Sequence, residues 1–415
     1  MAANIPNDNL NLPASWRGLS SVFMIAGLVC IMLAAGICMF SGDGFEKGWQ
    51  IFCHSYLGNY MFCMSICLGA LFFVMVQHLV RASWSASIRR IAELLAFTLP
   101  WWALLFIPIL IAACSGNDWI YPWALGKGKD LGPLVEAKLN FLNPLWFTIR
   151  VAVYFAVWIF AARFYFNLSR QQDETGDSEI TLKLQKFAGP LIMLFALSVN
   201  FGAFDIMMST DPAWFSTIYG VYLFAASMLS FFAMMILSCF LLQREGRIEK
   251  MVNTEHFQDM SKFQFGFIVF WAYIAFSQFL LYWYGNIPEE TTWYLHRSEG
   301  GWFYLGLVLI AFHFAIPFLG TMSRHIRRRK SVMAFWAGFI LFVHWLDMTF
   351  LIMPFPTLDH AVNPFSWVML AGNLVCGVGM LCIFLSLVLM RVGDIPLVAV
   401  KDPWLPEALA YEVGP

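Results

Sequence analysis

Long apolar runs separated by short polar turns dominate this chain, and the sharpest turn lies in Asn200–Tyr222, NFGAFDIMMSTDPAWFSTIYGVY. Two apolar runs meet there through Ser209-Thr210-Asp211-Pro212. Pro212 is expected in the first turn of the second helix, where its missing N–H costs nothing, with Ser209, Thr210 or Asp211 capping the exposed donors. The chain is thus expected to leave a bilayer and re-enter it at once.

Ten runs reach the length of about 20 residues that a helix needs to cross a bilayer. They cover 17–40, 51–79, 91–114, 143–168, 187–209, 216–242, 262–286, 300–322, 332–353 and 364–391. Each is continuous rather than alternating, which selects helices over strands, because lipid leaves no backbone group unpaired. The expected fold is an all-α integral membrane protein of ten transmembrane helices, with a polar arm at 1–15, the helical domain at 16–392 and a polar tail at 393–415.

Several features refine this outline. Pro100 and Pro108 predict kinks in the third helix, and the polar stretch 169–186 reads as a linker in the middle of the bundle. Trp119, Tyr121, Pro122 and Trp123, in the longest loop (115–142), suit a headgroup layer or a docking surface. Gly372, Gly377 and Gly379 predict close packing of the tenth helix. No basic residue lies in the first fifteen and no small-residue cleavage site follows the first run, so that run is read as a retained span.

Composition agrees: 60% of the residues are hydrophobic and 12% charged, and mean hydropathy is +0.68. The net charge of −1 says nothing about partners, but its distribution does. With ten spans both termini share one side, and that side carries most of the Lys and Arg, including Arg324, Arg327, Arg328, Arg329 and Lys330, a cluster suited to anionic lipid. The other side holds only Lys47, Lys127, Lys129, Lys138 and Arg297, which predicts cytoplasmic termini. Apart from 324–330 there is no basic stripe for nucleic acid, and no phosphate-binding loop or dinucleotide fingerprint. The nine cysteines sit mainly in apolar runs without CxxC pairs, as packing residues do.

Four ionisable groups fall at comparable depth within the runs: Arg150, Asp205, His344 and Asp347. A lone charge there costs about 3 kcal/mol. Asp205 could reach headgroup water and Arg150 could snorkel; alternatively the four share a wet interior, with Arg150 as counter-charge. His344 and Asp347, three residues apart, lie on one helical face and could pass protons. Nothing in the spacing requires a metal or haem. His54 and His78 are about 36 Å apart along one helix, so only His313 and His344, on adjacent helices, lie near a common depth for bis-histidine ligation.

The run Ser209-Thr210-Asp211-Pro212-Ala213-Trp214-Phe215-Ser216-Thr217-Ile218-Tyr219-Gly220, followed by Gln278–Tyr284 and Asn286-Ile287-Pro288-Glu289-Glu290, resembles the quinol:cytochrome c oxidoreductases of the alternative complex III type. More narrowly it resembles their ActF-type membrane subunit, within the NrfD-like, polysulfide-reductase superfamily. The resemblance implies two pseudo-symmetric four-helix bundles, helices two to five and six to nine, with helices one and ten peripheral. It also implies a multi-pass subunit of a bacterial inner membrane and of a respiratory, quinol-oxidising complex.

Within such a complex the expected partners are a homologous quinol-binding membrane subunit, an iron–sulfur subunit, c-haem subunits, a terminal oxidase in some assemblies, and lipid. The iron–sulfur clusters and c-type haems belong to those partners. No cofactor is expected on this chain, and a menaquinol-type quinol is the small molecule it would meet. The role carried over is a proton path, here through Asp205, His344 and Asp347 with Arg150. Two other readings stay open: a secondary transporter with a midplane polar site, and a quinone-reactive anchor of the polysulfide-reductase kind.

Overall fold

The computed structural model describes residues 8–41, 44–126, 132–355, 363–393 and 395–412. Residues 1–7 of the expected arm, Lys127 and Lys129 of the sparse basic side, and residues 394 and 413–415 of the tail lie outside them. Ten helices are long and apolar enough to span a membrane: α1 (Ala14–Phe40), α2 (Phe45–Leu79), α3 (Arg89–Cys114), α4 (Pro144–Thr175), α5 (Glu179–Thr210), α6 (Tyr219–Arg244), α7 (Thr254–Gly285), α8 (Gly300–Thr321), α9 (Lys330–Ile352) and α10 (Trp367–Val392). No strand occurs among the described residues.

The helices outrun the apolar pattern where polar helix formers extend them. The stretch 169–186, expected as a linker, is almost wholly helical, because α4 continues to Thr175 and α5 starts at Glu179. Gly176, left-handed at φ +70°, supplies the stop. α7 likewise begins well before residue 262, at a capping box in which Asn253 accepts from the backbone N–H of His256 and the His256 ring accepts in return. α3 breaks near both prolines, into Arg89–Ala96, Leu99–Leu105 and Ile107–Cys114.

The turn at 209–212 differs from expectation. Pro212 does not open α6, which starts seven residues later at Tyr219. Ser209 and Thr210 donate back to the carbonyls of Asp205 and Met207, at 2.5 and 2.8 Å, rather than capping the next helix. The aromatic loop is corrected too. Tyr121 and Trp123 are fully buried on Phe147 instead of facing headgroups or a partner. Tyr121 donates to the carbonyl of Ile206 at 2.9 Å. The phenol of Tyr121 loses less by burial than it gains once its hydroxyl is bonded, whereas the Trp123 indole N–H is buried without a protein partner.

α2 and α6 form the centre, with 89% and 78% of their apolar windows buried. α2 packs on α3, α4 and α5, α6 packs on α7 and α9, and the two meet along a seam. The result is two groups of four helices, α2–α5 and α6–α9, in which α2 and α6 hold equivalent central places. Gly69 lets the seam close, since a Cβ there would strike the carbonyl of Ser227.

α1 and α10 pair along their length outside these groups. A Cβ on Gly379 would lie 2.9 Å from the carbonyl oxygen of Gly27, and one on Gly27 2.8 Å from that of Gly379. Gly379→Leu is therefore expected to lift α1 off the bundle at a cost of about 1–3 kcal/mol, seen as earlier thermal unfolding and faster proteolysis before α2.

The basic cluster after α8 is partly spent inside the protein. Arg328 forms a bidentate pair with Glu255, and Lys330 donates to Gln243 at 2.7 Å. Fewer of its charges are left for anionic lipid than the sequence suggests.

Candidate functional site

α9 carries His344 and Asp347 one turn apart, both fully buried. Asp347 accepts from the Tyr222 hydroxyl of α6 at 2.5 Å and from the Trp271 indole N–H of α7 at 3.1 Å. No Lys, Arg or His forms an ion pair with it among the described residues. A carboxylate held only by neutral donors in a membrane interior is far from compensated, because two hydrogen bonds offset part of the desolvation of a full charge.

The His344 ring is held by Ser65 of α2. The Ser65 hydroxyl donates to the carbonyl of Phe62 at 2.7 Å, so its oxygen accepts from His344 Nε2–H at 2.9 Å. That fixes the tautomer and leaves Nδ1 with an inward lone pair and no protein partner. His313 of α8 completes the group. Its ring lies 4.0 Å from that of Trp271 and 6.3 Å from that of His344, and neither of its nitrogens has a partner. It sits in a π-helical turn, Ile310–Ala315, a local widening that frequently marks functional positions in helices.

Arg150 and Asp205 form a different centre. Arg150 Nε and Nη2 each lie 2.8 Å from an oxygen of Asp205, and the Tyr154 hydroxyl donates to the same carboxylate at 2.7 Å. Asp205 is buried, whereas the Arg150 side chain keeps 17% of its surface exposed. Its guanidinium stacks on Phe141 at 3.7 Å and donates to the Phe141 carbonyl at 3.0 Å. Pairing and snorkelling thus operate together.

The expectation that all four groups meet in one interior is overturned. Arg150 meets Asp205, and His344 shares a second centre with Asp347, but no hydrogen bond or ion pair joins the two centres among the described residues. The reason is topological: α4 and α5 belong to the first group of helices and α9 to the second, and α2 and α6 pack between α5 and α9.

Two polar clusters flank these centres. Beyond the ends of α5 and α9, Arg297 donates to the carbonyls of Phe350 and Leu351 at 3.0 and 2.8 Å and stacks on Trp293 at 3.5 Å, closing the end of α9. Burial lowers its pKa to about 10. Burial also raises the carboxyl of Asp211, an effect opposed by the nearby charges of Arg297 and His296. On the face that holds the termini, Arg90 of α3 pairs with Glu93 at 2.9 Å and with Asp173 of α4 at 2.7 Å, while Arg89 bonds Asp402 of the tail.

Sequence reasoning missed Ser65, Tyr154, Tyr222 and Trp271, and weighed His313 only as a haem-ligand partner of His344, not as a neighbour of Asp347. One signal was available: Gln264, Trp271 and Gln278 recur every seven residues on α7, which puts polar atoms on a single helical face.

His313, His344 and Asp347 present one ligand atom each within 4.8 Å of one another, a donor set that a first-row transition metal can use. A metal would have to share a carboxylate whose two oxygens already accept from Tyr222 and Trp271. Trp271 packs on His313 and Phe62 on His344, so side chains rather than an open face flank both imidazoles. No family model matches this chain, and no curated protein matches it.

Proposed function

We propose that this chain is the membrane subunit of a respiratory quinol-oxidising complex of the alternative complex III type, and that it contributes a proton site and a scaffold rather than the main quinol-oxidising site. The observation that carries the reading is the Asp347 centre: a buried carboxylate without a counter-cation, beside two imidazoles with unpartnered nitrogens. Such a group takes up a positive charge most readily as a proton, and His344 Nδ1, one turn away, can receive it. Oxidising a quinol frees two protons with its two electrons, so a neighbouring subunit that holds and passes protons has a place in that chemistry. The Arg150–Asp205 centre, already neutral as a pair, is the poorer proton carrier of the two.

The two sequence motifs that carry the family resemblance also meet in space. The Trp214 indole donates to the carbonyl of Glu290 at 3.1 Å, and the Tyr282 hydroxyl to that of Phe215 at 2.5 Å. On this reading the termini are cytoplasmic, in a bacterial inner membrane, and the motif surface faces the iron–sulfur and c-haem subunits. The quinol-binding membrane subunit and lipid cover the apolar flanks. A transporter is less favoured, because the two most interrupted helices, α3 and α8, do not hold matching places in the two groups.

Purification in mild detergent tests the assignment. Co-elution with multihaem and iron–sulfur polypeptides is the expected outcome; a lone chain that moves a solute in liposomes sinks it. Stoichiometric transition metal in the purified chain, lost on His313→Ala, would replace the proton at Asp347 by a metal ion.

A further inference from the structure

The buried face of α7 is polar at intervals from the Asp347 centre to the face that holds the termini. Trp271 touches Asp347 and His313. Seven residues earlier, about 10.5 Å along the axis, lies Gln264, fully buried, with neither its amide nitrogen nor its amide oxygen bonded to protein. Next comes Ser261, whose hydroxyl turns back to the carbonyl of Phe257 at 2.6 Å. The mouth follows: Gln258 takes a hydrogen bond from Arg328 at 2.5 Å, and Asp259 accepts from Lys262 and from the Tyr411 hydroxyl at 2.8 and 2.5 Å.

An amide that offers two donors and two acceptor lone pairs, buried with none of them met, is not tolerated in a dry apolar interior. Water meets the need: it bonds several ways, and ordered water commonly serves buried polar groups that protein leaves unpaired. His313, one helix away and also unpartnered, is a second group of the same kind.

We propose that bound water at Gln264 connects the Asp347 centre to the termini face along the buried side of α7, making this the side from which that centre exchanges protons. The claim rests on the reading of Asp347 as a proton-holding group. Gln264 is a positioning residue that orders the water and does not itself change charge. Outward on α7 the next buried polar residue is Gln278, which lacks a protein partner only at its amide oxygen and bonds Tyr294 toward the opposite face, whereas both ends of the Gln264 amide are unmet.

Accessibility and turnover test it separately. In sealed vesicles of the complex with the termini face outward, Gln264→Cys should react with a small charged methanethiosulfonate about tenfold faster than Ala188→Cys, equally buried and at a similar distance along α5, away from α7, after subtraction of the native cysteines. Equal rates overturn the proposal. Gln264→Leu should slow proton exchange at the Asp347 centre by about tenfold, whereas Gln264→Asn, which keeps an amide, should restore most of it. If Asp347→Asn leaves turnover unchanged while Gln264→Cys still labels, the wet route stands and its proton role falls. If Asp347→Asn slows turnover but Gln264→Cys stays unlabelled, the proton site stands and this route falls.

Discussion

Asp347→Asn is expected to leave the ten-helix bundle assembled and to lower proton-coupled turnover by about a hundredfold or more, the scale of a lost acid–base group. The substitution keeps shape and one acceptor. The amide oxygen can still accept from Tyr222 or from Trp271, but its NH2 then faces the other donor, a mismatch that costs about 1–2 kcal/mol. What it removes is the ability to gain and lose a proton beside His344 and His313, whose ligand atoms lie within 4.8 Å of its own.

Asp205→Asn is the control. Asp205 accepts two 2.8 Å hydrogen bonds from Arg150, so its loss should lower stability while turnover stays near the native rate. Steady-state rate and proton stoichiometry of the complex, measured with its thermal midpoint, separate the cases. Normal turnover in Asp347→Asn combined with slow turnover in Asp205→Asn would move the proton role to the other centre.

Arg90→Ala is expected to have the largest effect on stability. The Arg90 side chain is fully buried and serves Glu93, Asp173 and the hydroxyl of Ser169, at 2.9, 2.7 and 2.9 Å. Removing it strands two carboxylates between α3 and α4, a defect that costs about 3–5 kcal/mol. Their attraction also orders the tail, because Glu93 lies 3.9 Å from Arg89, which in turn holds Asp402. The mutant should unfold earlier in detergent and lose protection of residues 395–412 against protease. An apolar replacement of the whole set, Arg90→Leu with Glu93→Leu and Asp173→Leu, should recover much of the loss, since a buried ion pair is often no better than good packing. If Arg90→Ala alone unfolds with the native midpoint, the cluster contributes nothing to the fold.

The apolar periodicity of the chain was enough to determine ten spans. A run such as 216–242 has no stable place in water and one obvious place in lipid, whatever its neighbours do. The candidate residues were legible for the same reason: Arg150, Asp205, His344 and Asp347 stand out because charge is expensive among Leu, Phe and Met. Helix ends were less legible, because Gln, Asp and Lys at 169–186 favour helix as readily as loop once the chain has left the bilayer.

Partnership was settled only by the tertiary structure. Nothing local in the sequence says that Asp205 finds an arginine while Asp347 finds a tyrosine and an indole, because those contacts come from α4, α6 and α7, tens of residues away in the chain. Depth along a span can be read from one dimension. The direction each side chain faces, and hence which charges neutralise one another, follows from how helices rotate to pack, and that depends on every helix at once.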